Sequence, residues 1–239
     1  MILIIYWWID DLNSLKIVIL IIVTLSINLN SNLISGANAQ EQTDSNTNNN
    51  NNIPNEGTVS KPIVHVTIEG TENNDKVKGG NGNDKLIGEN GDDTLNGGPG
   101  DDTITGDEGN DKLNGQLGDD EVNGGEGNDN IKGEGGDDQI LGEDGNDRLE
   151  GGKGNDEIDG GEGNDNIKGG EGNDEIDGGE GNDEIDGGEG KDKLKGGKGA
   201  DTFICDLSDK ISDFDSTEGD KKTGQCSVID KAKPELPNA

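Results

Sequence analysis

The sequence predicts an all-β solenoid, and three observations support this fold class. One nine-residue pattern is repeated fifteen times from Gly70 to Ile204 without insertion or deletion. The eighth residue of every copy is apolar and lies between mostly polar neighbours, which indicates a short strand with one buried face. The phase is constant, so each copy can bury its apolar residue only against neighbouring copies.

Composition narrows the range of partners. The 239 residues are 26% apolar and 2% aromatic, well below the content of an ordinary globular core. The formal net charge of −34 argues against DNA, RNA or anionic lipid as partners, because the charge has the wrong sign. Taken alone, this low apolar content and high net charge are also typical of a disordered chain. Residues 70–204 contain 39 acidic and 12 basic residues, and repulsion at this density predicts that the repeat needs cations to fold.

Glycine and aspartate occupy fixed positions in the pattern. Gly is first in every copy and fourth in fourteen, and Asn73 replaces it in the first copy, whose loop is expected to be strained or free of metal. We expect the glycines at positions one and four to supply the positive φ of sharp turns. The sixth residue is always Asp. Carboxylates and turn carbonyls suit Ca²⁺ or Mg²⁺, many carbonyls favour Ca²⁺, and one His with two Cys argues against zinc.

The pattern resembles the calcium-binding nonapeptide of RTX (repeats-in-toxin) proteins, G-G-x-G-x-D-x-U-x. Close matches are Gly79–Ile87 (GGNGNDKLI) and Gly124–Lys132 (GGEGNDNIK), and the resemblance covers 135 of the 239 residues. It implies a right-handed parallel β-roll in which two copies form one turn, so that aspartates 18 residues apart stack along each edge. One calcium ion between successive members of each row gives at most about thirteen ions.

The resemblance assigns all fifteen sixth-position aspartates as metal ligands in two rows. One row is Asp75, Asp93, Asp111, Asp129, Asp147, Asp165, Asp183 and Asp201. The other row is Asp84, Asp102, Asp120, Asp138, Asp156, Asp174 and Asp192.

The residues before the repeats predict export from the cytoplasm. An apolar run at Ile17–Ile27 follows Lys16, and Ala37-Asn38-Ala39 before Gln40 fits a signal-peptidase site, so residues 1–39 are interpreted as a secretory signal. An uncleaved membrane anchor is the alternative. Residues 40–60 form an Asn-rich linker. Residues 61–69 are rich in β-branched side chains and predict a capping strand, with His65 as a surface residue rather than a catalyst.

The residues after the repeats resemble the segment that closes many RTX arrays. We expect residues 205–239 to form a cap and tail, in which Phe203 and Phe214 cover the open end of the aliphatic core. Cys205 and Cys226 form a disulfide if the chain is secreted, and two free thiols are the alternative.

These features predict a non-enzymatic protein. The sequence contains no G-x-S-x-G or H-E-x-x-H motif and no Cys/His pairing. We therefore expect a secreted calcium-binding repeat protein that folds on calcium and acts as a structural or interaction module at or near the cell surface. Its partners would be calcium ions and a surface or matrix component, not nucleic acid, and a membrane only if the N-terminal segment stays uncleaved. The alternative is the calcium-dependent repeat half of a secreted protease, lipase or toxin.

Overall fold

The structure, a computed structural model, describes residues 64–228 and a strand at residues 38–42. These residues form β-strands and turns. The predicted signal and linker lie outside the described residues except where the strand Asn38–Gln42 overlaps them, and so does the tail beyond Val228. No helix in the described part of the chain is long and apolar enough to cross a membrane.

Twenty strands follow one another along the described chain. They are β1 (Asn38–Gln42), β2 (His65–Glu69), β3 (Lys76–Lys78), β4 (Lys85–Ile87), β5 (Thr94–Pro99), β6 (Thr103–Glu108), β7 (Lys112–Leu117), β8 (Glu121–Glu126), β9 (Asn130–Gly135), β10 (Gln139–Asp144), β11 (Arg148–Lys153), β12 (Glu157–Asp159), β13 (Asn166–Gly172), β14 (Glu175–Glu180), β15 (Glu184–Gly190), β16 (Lys193–Lys198), β17 (Thr202–Cys205), β18 (Lys210–Ile211), β19 (Lys221–Gly224) and β20 (Ser227–Val228).

Successive strands alternate between two parallel sheets. Sheet A contains β1 and the even-numbered strands, and sheet B contains the odd-numbered strands from β3 to β19. Within sheet A, Ile140 pairs with Val122 on one side and Ile158 on the other, a register of 18 residues. One turn therefore consists of two nonapeptides, and the predicted parallel β-roll is confirmed. The strand β1 adds an antiparallel edge beside β2.

The core is a single layer of aliphatic side chains between the two sheets. Residues alternate in direction along a strand, so the eighth position points inward while the seventh and ninth point outward. The inward side chains are at most 3% exposed. They are Ile68, Val77, Leu86, Leu95, Ile104, Leu113, Val122, Ile131, Ile140, Leu149, Ile158, Ile167, Ile176, Ile185, Leu194, Phe203 and Ile211. Only one residue in nine is buried in this way, so the free energy gained by hydrophobic burial is small compared with the conformational entropy that the chain loses on folding.

The backbone corrects one expectation about glycine. Position four does have positive φ, as at Gly100 (136°) and Gly145 (150°). The other position with positive φ is the second, whether it holds glycine, as at Gly98 (122°), or a larger residue, as at Glu89 (71°). The first-position glycines do not have positive φ, as at Gly106, although the next residue of the same strand, Asp107, does (74°). The prediction for position one is wrong, and its glycine is required for space, as the metal centre shows.

The strand β2 (His65–Glu69) lies at the N-terminal end of the repeats, within the predicted capping segment 61–69, and pairs with β4. The backbone N–H of Val66, which stands where a repeat has Asp, donates to Oδ1 of Asp84 at 2.8 Å. His65 stands at the fifth position, and its Nδ1 accepts the N–H of Asn83 at 2.8 Å. The only histidine thus continues a column of fifth-position side chains that accept backbone N–H groups.

The C-terminal cap extends both sheets, and its Phe214 is partly buried against the aliphatic core. The register changes there, because Leu194 pairs with Ile211 and Phe203 pairs with Lys222 instead of a residue 18 positions away. The buried ring of Phe203 lies 6.3 Å from that of Phe214, centroid to centroid.

Two further contacts hold the cap to the last repeats. Cys205 and Cys226 are joined by a disulfide, with their Cα atoms 5.7 Å apart. The carboxylate of Asp213 accepts the N–H groups of Gly196 and Gly197, both at 2.9 Å. These backbone groups would otherwise have been satisfied by the carbonyls of another regular turn.

Candidate metal centre

The sixth-position aspartates line the two edges of the roll. All fifteen are buried, with exposed fractions of 8% or less. In fourteen of them, all except Asp75, Oδ1 accepts a hydrogen bond from the backbone N–H of the equivalent residue one turn earlier. For example, the N–H of Asp111 donates to Asp129 at 2.7 Å, and that of Asp129 donates to Asp147 at 2.8 Å. The structure therefore brings the aspartates into the two predicted rows, and one oxygen of each carboxyl is fixed.

The second carboxyl oxygen has no partner in most copies. Within residues 64–228, Oδ2 is buried without a hydrogen bond in thirteen of the fifteen aspartates. They are Asp84, Asp93, Asp102, Asp111, Asp120, Asp129, Asp138, Asp147, Asp156, Asp165, Asp174, Asp183 and Asp192. A buried carboxylate oxygen without a proton donor or cation is costly, so each of these atoms is suited to bind a cation.

The first-position glycine leaves space beside each such oxygen. A Cβ atom added to Gly124 would lie 2.3 Å from Oδ2 of Asp129 and 2.8 Å from the carbonyl oxygen of Gly142. At Gly142 the corresponding distances are 2.5 Å to Asp147 and 2.3 Å to the carbonyl of Gly160. A carboxylate oxygen and a backbone carbonyl oxygen thus border a volume that any side chain would fill.

The electrostatics of the rows also call for positive charge. Burial raises the pKa of the carboxyls, the hydrogen bond from the previous turn lowers it by less, and neighbouring aspartates at the fifth and sixth positions raise it further. The pKa reaches about 7 for Asp120, Asp147 and Asp183, and about 6 for Asp93, Asp102, Asp129, Asp138, Asp156, Asp174 and Asp192. A bound cation would remove this cost by favouring the ionised form.

The donor set fits Ca²⁺. Among the described residues no three Asp, Glu, His or Cys side chains converge on one point, so a cation held here must complete its shell with backbone carbonyls. Ca²⁺ accepts six to eight oxygen ligands in flexible geometry, including carbonyls, whereas Mg²⁺ requires a tighter octahedron. The residues that would hold it are the thirteen aspartates and the carbonyls of the glycine turns, and the ion would supply the charge that their Oδ2 atoms lack.

The model of the RTX calcium-binding nonapeptide repeat (4 copies) matches this chain in overlapping segments that span residues 67–203. The chain belongs to the RTX family. It is therefore a calcium-binding repeat protein. No curated protein matches the chain significantly.

The RTX array ends where the protein itself satisfies the carboxyl. Oδ2 of Asp75 accepts hydrogen bonds from the N–H and Oγ1 of Thr71, at 2.7 and 2.8 Å. In the cap, Asp209 accepts the N–H groups of Asp192 and Asp206, at 3.2 and 2.7 Å. Asp220 accepts those of Asp201 and Asp215 in the same way, at 3.0 and 2.6 Å.

These terminating residues were missed by sequence reasoning. Asp209 and Asp220 extend the rows at separations of 17 and 19 residues, which the nine-residue period does not detect. Thr71 carries a signal that could have been read, because it is a hydroxyl residue in the one copy that lacks the fourth-position Gly.

Two glycines of one RTX repeat provide a matched test of the space beside the carboxylate. In Gly133→Ala the new Cβ would lie 2.1 Å from Oδ2 of Asp138, whereas in Gly135→Ala the nearest atoms are 3.8 Å away. We expect Gly133→Ala to raise the calcium concentration at the midpoint of folding by about tenfold, or roughly 1.4 kcal/mol, and Gly135→Ala to leave it unchanged. Circular dichroism during calcium titration measures both. Equal midpoints for the two variants would contradict the assignment.

The raised pKa values predict how the metal-free RTX chain responds to pH. The folded carboxyls bind protons at about pH 6–7, but the unfolded ones only near the ordinary value of 3.8. Their stabilising contribution is therefore complete below about pH 3.8 and lost as pH rises through 6–7. In excess chelator, we expect β-structure to increase as pH falls from about 7.5 to about 5. A gain centred near pH 4, where exposed carboxylates titrate, would instead indicate general loss of surface repulsion.

Proposed function

We propose that this RTX chain folds only when calcium binds, and that it serves as a secreted, non-enzymatic structural module at or near the cell surface. The observation that carries the first part is the set of thirteen buried Oδ2 atoms without a partner. In the unfolded chain these carboxylates are hydrated, so the cost of burying them falls on the folded state alone. A cation that binds the folded rows removes that cost and shifts the equilibrium towards the roll.

Because the hydrophobic core is small, the stability of the folded roll depends strongly on the bound cations. Each nonapeptide buries one aliphatic side chain, while its glycines at positions one and four increase the entropy lost on folding. Each internal aspartate also lies between two others of its row, as Asp147 does between Asp129 and Asp165, and these two raise its pKa by repulsion. We therefore infer that the aspartate rows without cations are less stable than the solvated chain at neutral pH.

Secretion is supported by the sequence before the repeats and by the chemistry of the cap. The apolar run Ile17–Ile27 and the Ala37-Asn38-Ala39 motif have the order of a secretory signal. The disulfide between Cys205 and Cys226 is compatible with an oxidising compartment. Expression of the full chain in a secreting host should release a product whose N-terminal residue is Gln40. A product retained in the membrane fraction with its apolar run intact would contradict secretion.

Calcium-dependent folding is directly measurable. At neutral pH in chelator, we expect the far-ultraviolet circular dichroism of the purified chain to be that of an unfolded protein. About 1–10 mM Ca²⁺ should convert it to a β-spectrum, and the same concentration of Mg²⁺ should not. A β-spectrum in chelator at neutral pH, or an unfolded spectrum in saturating calcium, would overturn the proposal.

Two variants that each lose one negative charge distinguish calcium ligation by the rows from a general effect of the negative charge of the protein. Asp147 and Asp144 lie in the same repeat, but Asp147 is 3% exposed whereas Asp144 is fully on the surface. Each change to Asn removes one negative charge. We expect Asp147→Asn to reduce the number of calcium ions bound, measured by isothermal titration calorimetry, by about one or two, because its carboxylate would serve the ions on either side. The Asp144→Asn variant should bind as many calcium ions as the unaltered chain. An equal loss of ions in both variants would show that the aspartate rows attract calcium only by their general negative charge.

A further inference from the structure

The middle strands of sheet A carry outward-facing acidic side chains without basic ones. Five neighbouring strands, β6, β8, β10, β12 and β14, present eleven acidic side chains to solvent and no Lys or Arg. These residues, named here the acidic face, are Asp107, Glu108, Glu121, Glu126, Glu143, Asp144, Glu157, Asp159, Glu175, Asp177 and Glu180. Three of them, Glu175, Asp177 and Glu180, pair with lysines of the next strand, β16. The other eight form no ion pair with a described residue.

Six neighbouring strands of sheet B, which end before the acidic strand β15, have the opposite balance. Strands β3, β5, β7, β9, β11 and β13 present seven basic side chains and three acidic ones. The basic residues, named here the basic face, are Lys76, Lys78, Lys112, Lys132, Arg148, Lys153 and Lys168. Lys132 and Lys153 pair with Glu150 and Glu171 of neighbouring strands. The other five form no ion pair with any residue that the structure describes.

The electrostatic environment of the ionisable groups differs between the two faces in the same sense as their charges. On the basic face, the hydrogen bond from Lys132, with the charges of Lys132, Lys168 and Arg148, lowers the pKa of Glu150. On the acidic face, burial and the neighbouring carboxylate of Asp177 raise the pKa of Asp159. The contrast is present in a chain whose overall charge is strongly negative.

The two faces also share one spacing. Strands within each sheet follow one another at about 4.8 Å, so the charges of both faces recur at multiples of the same distance. Lys112 and Arg148 lie two strands apart in sheet B, and Glu121 and Glu157 lie two strands apart in sheet A. Two such sheets placed face to face with their strands aligned would keep these charges opposed along the whole contact.

We propose that the basic face of one calcium-loaded copy docks on the acidic face of a second copy. The proposal rests on the proposed function only in that both copies must be folded by calcium. Because the two surfaces are different, the contact is heterologous, and repeated contacts build open chains of molecules rather than closed dimers. A nucleic acid or other polyanion fits less well, because it would complement only the basic face, whereas copies of this chain complement both faces.

The size and polarity of the faces make the association weak and sensitive to salt. Five strands of about six residues cover roughly 500 Å², which is below the ~800 Å² per partner of a standard interface. Charged interfaces of this kind gain specificity and association rate more than affinity. The expected dissociation constant is micromolar or weaker, and it should rise at least tenfold between about 50 and 500 mM NaCl as screening shortens the range of the interaction.

Charge reversal on one face at a time tests the proposal. The basic-face variant is Lys112→Glu with Arg148→Glu, and the acidic-face variant is Glu121→Lys with Glu157→Lys. All four positions are exposed and take part in no ion pair with a described residue, so the changes break no such pair within the molecule. Sedimentation velocity in saturating calcium should show that the unaltered chain associates with increasing concentration in low salt, while each variant alone remains monomeric.

An equimolar mixture of the two variants is the decisive sample. The reversed acidic face of one variant now complements the reversed basic face of the other, so mixing should restore association to within about threefold of the unaltered chain. An unaltered chain that stays monomeric in low salt, variants that each still associate alone, or a mixture that stays monomeric would overturn the proposal. Association of the unaltered chain only after addition of heparin, as a model polyanion, would assign the basic face to polyanion binding instead.

Circular dichroism of the same samples separates this inference from the proposed function. A chain that stays unfolded in calcium would contradict calcium-coupled folding. A chain that folds in calcium but does not associate would contradict only the docking of the two faces. If a double variant fails to fold, the single changes Lys112→Glu and Glu121→Lys replace it in the same mixing experiment, with about half the loss of association free energy expected for each.

Discussion

The sixth-position carboxylate is the group on which the rest of the structure depends. One of its oxygens accepts a backbone N–H from the previous turn, which fixes the side chain inside the roll. Its other oxygen is thereby buried without a donor in thirteen copies. The same hydrogen bond that orders the edge of the solenoid therefore leaves a buried oxygen suited to a cation, and this arrangement is the basis of the proposal that folding and metal binding are coupled.

The other fixed residues of the nonapeptide position this carboxylate or leave space beside it. The first glycine leaves room beside Oδ2, and the glycine at position four allows the turn that carries the aspartate from one strand to the next. The aliphatic residue at position eight aligns successive turns, so that N–H and carboxyl groups 18 residues apart meet. One apolar residue per repeat provides little hydrophobic stabilisation, and for this reason the proposed function assigns a large share of the folding free energy to the rows of carboxylates and their ions.

The ends and the outer faces follow different rules from the array. At Asp209 and Asp220 the protein donates hydrogen bonds to both carboxyl oxygens, and at Asp75 the residue Thr71 donates two hydrogen bonds to Oδ2, so the rows stop without needing another ion. Positions seven and nine point outward and take part in neither the core nor the rows. Their charges are therefore free to differ between the two sheets without disturbing the fold, and this freedom allows one face to be acidic and the other basic.

The sequence by itself determined the fold class, the two rows of aspartates and the oxygen-based chemistry of the site. A strict nine-residue period constrains every copy to repeat the same contacts, so local pattern and tertiary contact coincide. Only the tertiary structure decided which glycines take positive φ, which carboxyls Thr71 and the cap residues satisfy, and how charge divides between the sheets. Some of these features depend on contacts between turns whose sequence separation is irregular in the cap. The others depend on the assignment of alternate copies of the repeat to different sheets. Neither can be derived from one nonapeptide, because each depends on which residue of a neighbouring turn occupies the adjacent position in space.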